Sequence, residues 1–520
     1  MKGAIPAWAA GSLYRTGPGK CKVEDTKSGT FYVSHWFDGL AHTHRFDIVA
    51  ETVGNDPVVR VNYSSRRQSD QVVADIKATG TLRAITFAQK LDPCVGIFGK
   101  FMSVFRRPQV PLNVNVTVHR NIPSSSLKTP TKTAAETQGH RAATIALSTD
   151  ANVICQIDPQ TMEPTGLSTQ TKLHPDLKGG LSGAHGQFDL KSGDYFNYNL
   201  DLGKDAVYRI FRVNAATGKT EIIAVFRAKG AWIHSFFMTQ NYVVLCIPVA
   251  HYALGGVKIL LEGNLQAGFK PFDPSETCHW YVVDRRHGKG VVAEFASSAR
   301  FFFHTINAFE DDSTGDLLCD MVDYPNRYVI DGFYYDIVLN RNGAADKFWA
   351  AGQLEHQSFP RLSRYRLPKK QFTTAHNNKP LPAPELILGI PSPHAGEMPV
   401  INPDYQCRRH RFVYFAVSRA RSTLFDALAK VDTETGEVLQ WEGPHGHTPG
   451  EAIFVPRPVV GGEGVPPGED DGVLLSVVLD GGNRMSYLLC LDARTMTELG
   501  RAECEFAVAI GLHGCHMPAA

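Results

Sequence analysis

Three histidines occupy the same place in a repeating local pattern. His304 lies in Phe301-Phe302-Phe303-His304-Thr305-Ile306-Asn307-Ala308-Phe309-Glu310, and the turn Asp311-Asp312-Ser313-Thr314-Gly315-Asp316 follows. His185 opens His-Gly-Gln-Phe-Asp-Leu ahead of a turn at Lys191-Ser192-Gly193-Asp194, and His234 opens His-Ser-Phe-Phe-Met ahead of Thr239-Gln240-Asn241. A fourth, His513, sits in Ala509-Ile510-Gly511-Leu512-His513-Gly514. A single histidine is usually a hydrogen-bonded structural residue. Imidazoles repeating in one register of a repeating unit are instead delivered to a common point. Four neutral imidazoles meeting there make a metal site, and imidazole suits Fe, Cu, Ni or Zn. An all-nitrogen shell with positions left open suits an Fe(II) that accepts dioxygen. At this level Mn and Zn remain open.

Carboxylates add to the pattern. Glu397 in Gly396-Glu397-Met398-Pro399, Glu451 in Pro449-Gly450-Glu451-Ala452, and Asp150 ahead of the Asp158 hairpin are expected to head strands in units lacking such a histidine. A ring bound to metal through one nitrogen needs an acceptor for its other N–H, and a carboxylate fixes that orientation. The bland alternative is three exposed strand-end acids. His42-Thr43-His44 and His445-Gly446-His447 rank as second-choice metal pairs. Spacing i, i+2 puts both rings on one strand face, but no third ligand shares their register. The chain has no Gly-x-Ser-x-Gly elbow, no phosphate-binding Gly-x-x-x-x-Gly-Lys loop and no His-Glu-x-x-His, so nucleotide cofactors are not expected.

The elements that must hold these groups are short strands. A strand ending in Asp or Asn before a tight turn recurs at 158, 214, 284, 432 and 492, with separations of 56, 70, 148 and 60 residues. The long gap spans two periods, so one unit is expected between Phe333 and Arg366. Short-strand repeats at this spacing imply an all-β fold, a β-propeller, and the length divides into seven blades. The histidine-headed hairpin and the Asp-ended hairpin together make the four strands of a blade. Residues 1–520 are read as one domain. Its insertions, near 120–141, 251–272 and 367–394, form a small helical and loop dome over the metal face. Asp70 to Ala88 is expected to be partly helical. The apolar run Ile259-Leu260-Leu261 is read either as a dome helix or as a segment dipping into a lipid surface.

Bulk composition excludes several classes. With 520 residues, 43% hydrophobic, 20% charged and a net charge of +1, the chain has no electrostatic case for nucleic acid. Ten cysteines without a Cys-x-x-Cys pair read as reduced thiols rather than a disulfide framework. No apolar stretch matches a signal peptide or a spanning helix. The expected location is the cytoplasm, with peripheral membrane contact left open, and no obligate protein partner is evident.

The motifs as a set carry a family resemblance. Gly11-Ser12-Leu13-Tyr14-Arg15-Thr16-Gly17-Pro18-Gly19, His35-Trp36-Phe37-Asp38-Gly39, Ala184-His185-Gly186, Phe303 to Glu310, Gly450 to Val455 and Leu512-His513-Gly514 resemble the carotenoid cleavage oxygenases over nearly the whole chain. Gly396 to Pro403 and Glu451 are most similar to the fungal branch that cleaves torulene or related carotenoids. The resemblance implies a seven-bladed propeller with a helical dome and a non-haem Fe(II) on its axis, held by His185, His234, His304 and His513. Asp150, Glu397 and Glu451 match the acids that orient the ligands. The implied reaction is O2-dependent scission of one conjugated double bond of an apolar polyene into two carbonyl products. Asp150 stands where many members have Glu, and so reaches one methylene less. The chain starts only a few residues ahead of Arg15-Thr16-Gly17-Pro18, so the expectation is that either a leading strand common in the family is absent or the chain is truncated. A neighbouring branch cleaves phenolic stilbenes with a lysine on the phenol. The corresponding position here is near Thr149, which favours the polyene. The competing readings are a stilbene-cleaving oxygenase of the same fold and a propeller that binds a carotenoid without turnover. Phenylalanines and tyrosines are expected to line the substrate tunnel.

Overall fold

The computed structural model describes residues 1–53, 56–90, 113–120, 122–127, 145–349, 359–375, 380–459 and 467–519. Seven antiparallel sheets of four or more strands account for almost every strand. Their strand order follows the sequence, which is the topology of a seven-bladed β-propeller. Blade one comprises Thr117–Arg120, Ile145–Ser148, Val153–Ile157 and Pro164–Thr169. Blade two begins with the split strand Leu181–Ser182 and Gln187–Phe188, blade three with Phe237–Met238, blade four with Phe301–Glu310 and blade five with Glu397–Val400. Blade six begins with the split strand His447–Pro449 and Ile453–Pro456.

Both ends of the chain close the ring. The innermost strand of blade seven is the C-terminal Gly514–Pro518. It pairs with Gly11–Lys20, opposing Arg15 to Gly514 and Tyr14 to Cys515. Leu40–Val53 and Asp56–Arg67 complete that blade. Lys2–Gly3 adds an edge to blade six, pairing with Arg501 and Gly500.

Burial explains which sequences sit where. In blade five every residue of Ala427–Asp432 is buried, and in blade six the first seven residues of Gly472–Asp480 are buried. Such middle strands have a neighbouring blade on each face and therefore read as continuous apolar runs. Each fully buried Val, Leu or Phe contributes about 1.5–3 kcal/mol. Outer strands such as Thr220–Ala228 mix buried and exposed positions, because one edge and part of each face meet solvent. Asp158, Asp284, Asp432 and Asp492 cap their turns by accepting backbone N–H groups two and three residues on, as at Asp492 with Arg494 and Thr495, both 2.9 Å.

The structure moves some expected boundaries. The unit expected between Phe333 and Arg366 is blade four. Its third strand is Arg361–Leu367, but Tyr328–Asp331, Tyr335–Val338 and Ala344–Trp349 are short helices. That helical insertion hides the period. Within 367–394, Glu385–Pro391 is the outer strand of the same blade rather than part of a cap. Prolines at 380, 382 and 384 disguise its start. Most of 120–141 lies outside the described residues. Within 251–272, the helix Val257–Glu262 follows a 3-10 turn at Ala253–Gly256, and Asp70–Thr79 is the helix expected between Asp70 and Ala88. Among the described residues no helix is long and apolar enough to cross a membrane.

Candidate metal centre

The four histidines arrive from four blades. His185 lies between the two halves of the innermost strand of blade two, and His234 three residues before the innermost strand of blade three. His513 immediately precedes Gly514–Pro518. His304 lies inside Phe301–Glu310, where the pairing with Leu317–Tyr324 slips between Phe302 and Thr305. That bulge re-aims the side chain toward the axis. His185 is flanked by Gly186, where a Cβ would sit 2.3 Å from the Tyr195 hydroxyl oxygen. Only glycine lets the strand approach Tyr195 so closely.

The ring nitrogens converge. One ligand atom from each of His185, His234, His304 and His513 lies within 4.8 Å of every other. The Nε2 atoms of His185 and His234 are 3.1 Å apart, as are those of His304 and His513. The opposite nitrogens are held by acids. His234 Nδ1 is 2.8 Å from Asp150 Oδ1, His304 Nδ1 is 2.6 Å from Glu397 Oε2, and His513 Nδ1 is 2.7 Å from Glu451 Oε1. Donating Nδ1–H to a carboxylate fixes the tautomer and leaves the Nε2 lone pair facing inward. Lone pairs directed at one another across 3.1 Å repel, and a cation between them converts that repulsion into bonding. Metal–nitrogen bonds of about 2.1 Å place adjacent ligands of an octahedral ion about 3.0 Å apart and those of a tetrahedral ion about 3.4 Å apart. The donor set thus fits a metal ion with coordination positions left open.

Electrostatics favour neutral rings. Burial, reinforced by the neighbouring imidazoles, holds His185 well below the ordinary imidazole range. Burial brings His513 down to about 4, against the pull of Glu451. Burial alone would raise the Glu451 carboxyl, but His513, Arg15 and the Gly514 amide outweigh it and keep it below the usual carboxylate range. Neutral imidazole is the ligating form, so the site is prepared to bind metal at neutral pH.

A cavity of about 710 Å³ opens onto the histidines, with His234, His304 and His513 in its wall. Near them the wall is apolar: Phe303, Met398, Leu512, Val116, Phe425 and Phe333. Leu202, Val257, Ile259 and Leu265 line another part. No Lys, Arg or Tyr is among the described lining residues. Phenylalanine therefore lines the space as expected, and tyrosine does not. Ile259, 4% exposed, turns inward with Leu260 to the cavity rather than outward to lipid. Leu254 and Val257 are the exposed apolar side chains of this segment, at 72% and 46%.

The structure brings together all seven residues singled out as ligands and orienting acids, with one change of place. Glu397 and Glu451 belong to innermost strands, but Asp150 lies on the connection between Ile145–Ser148 and Val153–Ile157. The innermost strand of blade one is Thr117–Arg120, and it directs Thr117 and His119 to the Ala184 carbonyl instead. Asp150, although shorter than Glu, still reaches His234. Glu397 is displayed by an irregular pairing between Glu397 and Val400, with Met398 in the left-handed region at φ 52°.

The second-choice pairs are occupied otherwise. The His42 and His44 rings are 4.2 Å apart, and His44 Nδ1 meets the Tyr63 hydroxyl at 2.8 Å. His447 contacts Tyr487 and Asp480. Neither pair gains a third ligand among the described residues. Two residues escaped the reading from sequence. The Tyr324 hydroxyl donates to Glu397 Oε1 at 2.6 Å, and Arg15 Nη1 lies 2.6 Å from Glu451 Oε2. Arg15 sits in a quoted motif without a role, and Tyr324 carried no signal.

Comparison with known proteins agrees with the fold. The chain is 48% identical over its full length to a carotenoid dioxygenase of Neurospora crassa, covering 88% of that protein. It is also 48% identical over its full length to a torulene dioxygenase of Gibberella fujikuroi, covering 91%. The structure of cobalt-substituted Synechocystis apocarotenoid oxygenase superposes with a TM-score of 0.71 at 21% identity, over 99% of this chain and 94% of that one. Residues 1–518 match the family model described as retinal pigment epithelial membrane protein. The chain belongs to that family, the carotenoid oxygenases.

Proposed function

We propose that this chain is a carotenoid-cleaving dioxygenase in which His185, His234, His304 and His513 hold Fe(II), and that its substrate is an apolar polyene of the torulene class. The observation that carries the reading is the meeting of four imidazoles, three of them buried, carboxylate-oriented and in the wall of a largely apolar cavity. Full-length identity of 48% to carotenoid and torulene dioxygenases supports the substrate class. When bound, iron supplies the binding and activation of dioxygen.

The protein's own contribution is position and environment. Asp150, Glu397 and Glu451 hold three rings rigid through Nδ1, so little reorganisation is needed when the site is loaded. Phe303, Phe333, Met398 and Phe425 exclude water and hold a conjugated chain by apolar contact beside the imidazoles. The overall change is one C=C bond and one O2 converted into two C=O groups, both oxygen atoms being incorporated. No side chain serves as proton donor or acceptor in that balance. The phenolic alternative lacks its recognition group, because Thr149 and the rest of the described wall offer no cation.

The test is product analysis. The iron-loaded chain is incubated with torulene, β-carotene and resveratrol in air, and products are separated and identified by mass spectrometry. Aldehyde or ketone fragments from the carotenoids and none from resveratrol are expected. Stoichiometric iron without any polyene cleavage would leave a binding propeller and end this reading.

A further inference from the structure

The motif Gly11 to Gly19 contributes no ligand and no cavity residue, yet its Arg15 is only 2% exposed. We propose that Arg15 is a positioning residue for the metal centre, clamping Glu451 to the ring-closing strand so that His513 is held in ligating position. The inference rests on reading the four imidazoles as a metal centre.

Three contacts carry it. Arg15 Nη1 meets Glu451 Oε2 at 2.6 Å and the Glu451 carbonyl at 3.3 Å, while Nη2 donates to the Leu512 carbonyl at 3.1 Å. Glu451 passes the restraint on. Its Oε1 accepts from His513 Nδ1 at 2.7 Å and its Oε2 accepts from the Gly514 amide at 3.0 Å. The residue after Arg15 holds the same segment through its backbone, since Thr16 N donates to the His513 carbonyl at 3.0 Å and Leu512 N donates to the Thr16 carbonyl at 2.8 Å. Residues 512–514 are thus gripped from two directions, by segments far apart in sequence.

The chemistry requires arginine. A planar guanidinium presents donors in a fixed fork and reaches a carboxylate and a carbonyl together, whereas an ammonium is a point donor on a flexible stem. The companion acid Glu397 is braced by a neutral phenol, Tyr324. Glu451 is the one of the three acids with a buried cation against it. The motif's Gly17 permits the approach, because a Cβ there would lie 2.6 Å from Gly511 Cα and Leu512 N.

The test uses the full chain loaded with Co(II), reading metal loss by chelator competition and coordination by the visible cobalt spectrum. Parent, Arg15→Lys and Arg15→Gln are compared with Arg364→Lys, which disturbs a part-buried bidentate pair with Asp320, a residue in contact with His410 and with none of the four ligand histidines. Metal loss about tenfold faster and a shifted spectrum are expected for both Arg15 variants. Arg364→Lys is expected to lower the melting temperature without changing either readout. If the Arg15 variants lose stability yet keep the parent's rate and spectrum, Arg15 is structural only and the proposal is overturned. Should neither fold, Gly511→Ala applies a milder strain, its methyl 3.0 Å from the Thr16 carbonyl and 3.6 Å from the Arg15 guanidinium. An unchanged metal-loss rate there also overturns it. A parent chain that retains no metal would instead fail the reading of the centre itself.

Discussion

His304 Nε2 and His513 Nε2 face each other at 3.1 Å while Glu397 and Glu451 hold the far nitrogens of the two rings. Both nitrogens present lone pairs, so the metal-free protein stores repulsion that an ion relieves. Metal removal should lower the melting temperature. An ion present at 100 times its dissociation constant stabilises by about 2.7 kcal/mol. Calorimetry on chelated and reloaded protein checks this, and coincident melts would contradict the lone-pair arrangement.

The acids behind the rings predict graded effects. Glu397→Gln and Asp150→Asn should each weaken metal retention roughly 10–100-fold, because the ring loses its charged acceptor. Tyr324→Phe removes only a hydrogen bond to the Glu397 carboxylate, a cost of about 1.5–3 kcal/mol. It should therefore fall between the parent and Glu397→Gln. Metal content after dialysis ranks the three, and Tyr324→Phe ranking below Glu397→Gln would exclude a relay through the carboxylate.

Replacing His304 with Ala removes a ligand outright. Both metal retention and polyene cleavage should be abolished, with the ring otherwise intact by circular dichroism. Full metal content together with normal turnover in this variant is the result that would refute the ligand set.

Cavity shape should govern what is cut. Phe425→Ala deletes an aromatic wall residue that is 8% exposed. A stability loss of about 3 kcal/mol is expected, with a changed distribution of cleavage products from a fixed polyene. Leu202→Trp fills another part of the wall and should raise KM more than it lowers kcat. Identical product profiles in parent and Phe425→Ala would separate regiochemistry from this wall.

Acid should destabilise the fold through its buried neutral histidines. His35 is fully buried, with Nε2 2.9 Å from the Ile330 carbonyl and Nδ1 accepting from Phe37 N. Burial brings it down to about 4, against the Ile330 carbonyl and with a smaller push from Lys90. An unfolded chain protonates this ring near pH 6.5 and the folded one does not until about 4. Stability is therefore intact above pH 6.5 and lost progressively down to pH 4, by roughly 3 kcal/mol from this residue alone. His119 adds in the same sense, burial bringing it to about 4. Melting temperatures of metal-free protein between pH 7.5 and 4.5 should fall, and less steeply for His35→Gln. An equal slope in the variant would remove His35 from the account.

Much of this architecture is legible in the chain because its signals are local and repeated. The acidic or amide turn residues at 158, 214, 284, 432 and 492 mark one blade each, and His185, His234 and His304 recur in the same register of the repeat. Blade four hid its own cap because helices occupy Tyr328 to Trp349 between its second and third strands. Asp150 stands just ahead of the Asp158 hairpin as expected, but that hairpin is the outer half of its blade, whose innermost strand, Thr117–Arg120, lies well upstream. Arg15 and Tyr324 gave no warning, since contacts across 436 and 73 residues leave no period in either segment.

The ring closes on the strand that His513 immediately precedes, and His513 trails His304 by 209 residues. A ribosome therefore delivers the fourth imidazole only after every other ligand has emerged. Any nascent or prematurely terminated product ending before residue 513 has at most three of the imidazoles and an unsealed seventh blade, so the four-imidazole site cannot assemble before that residue is made.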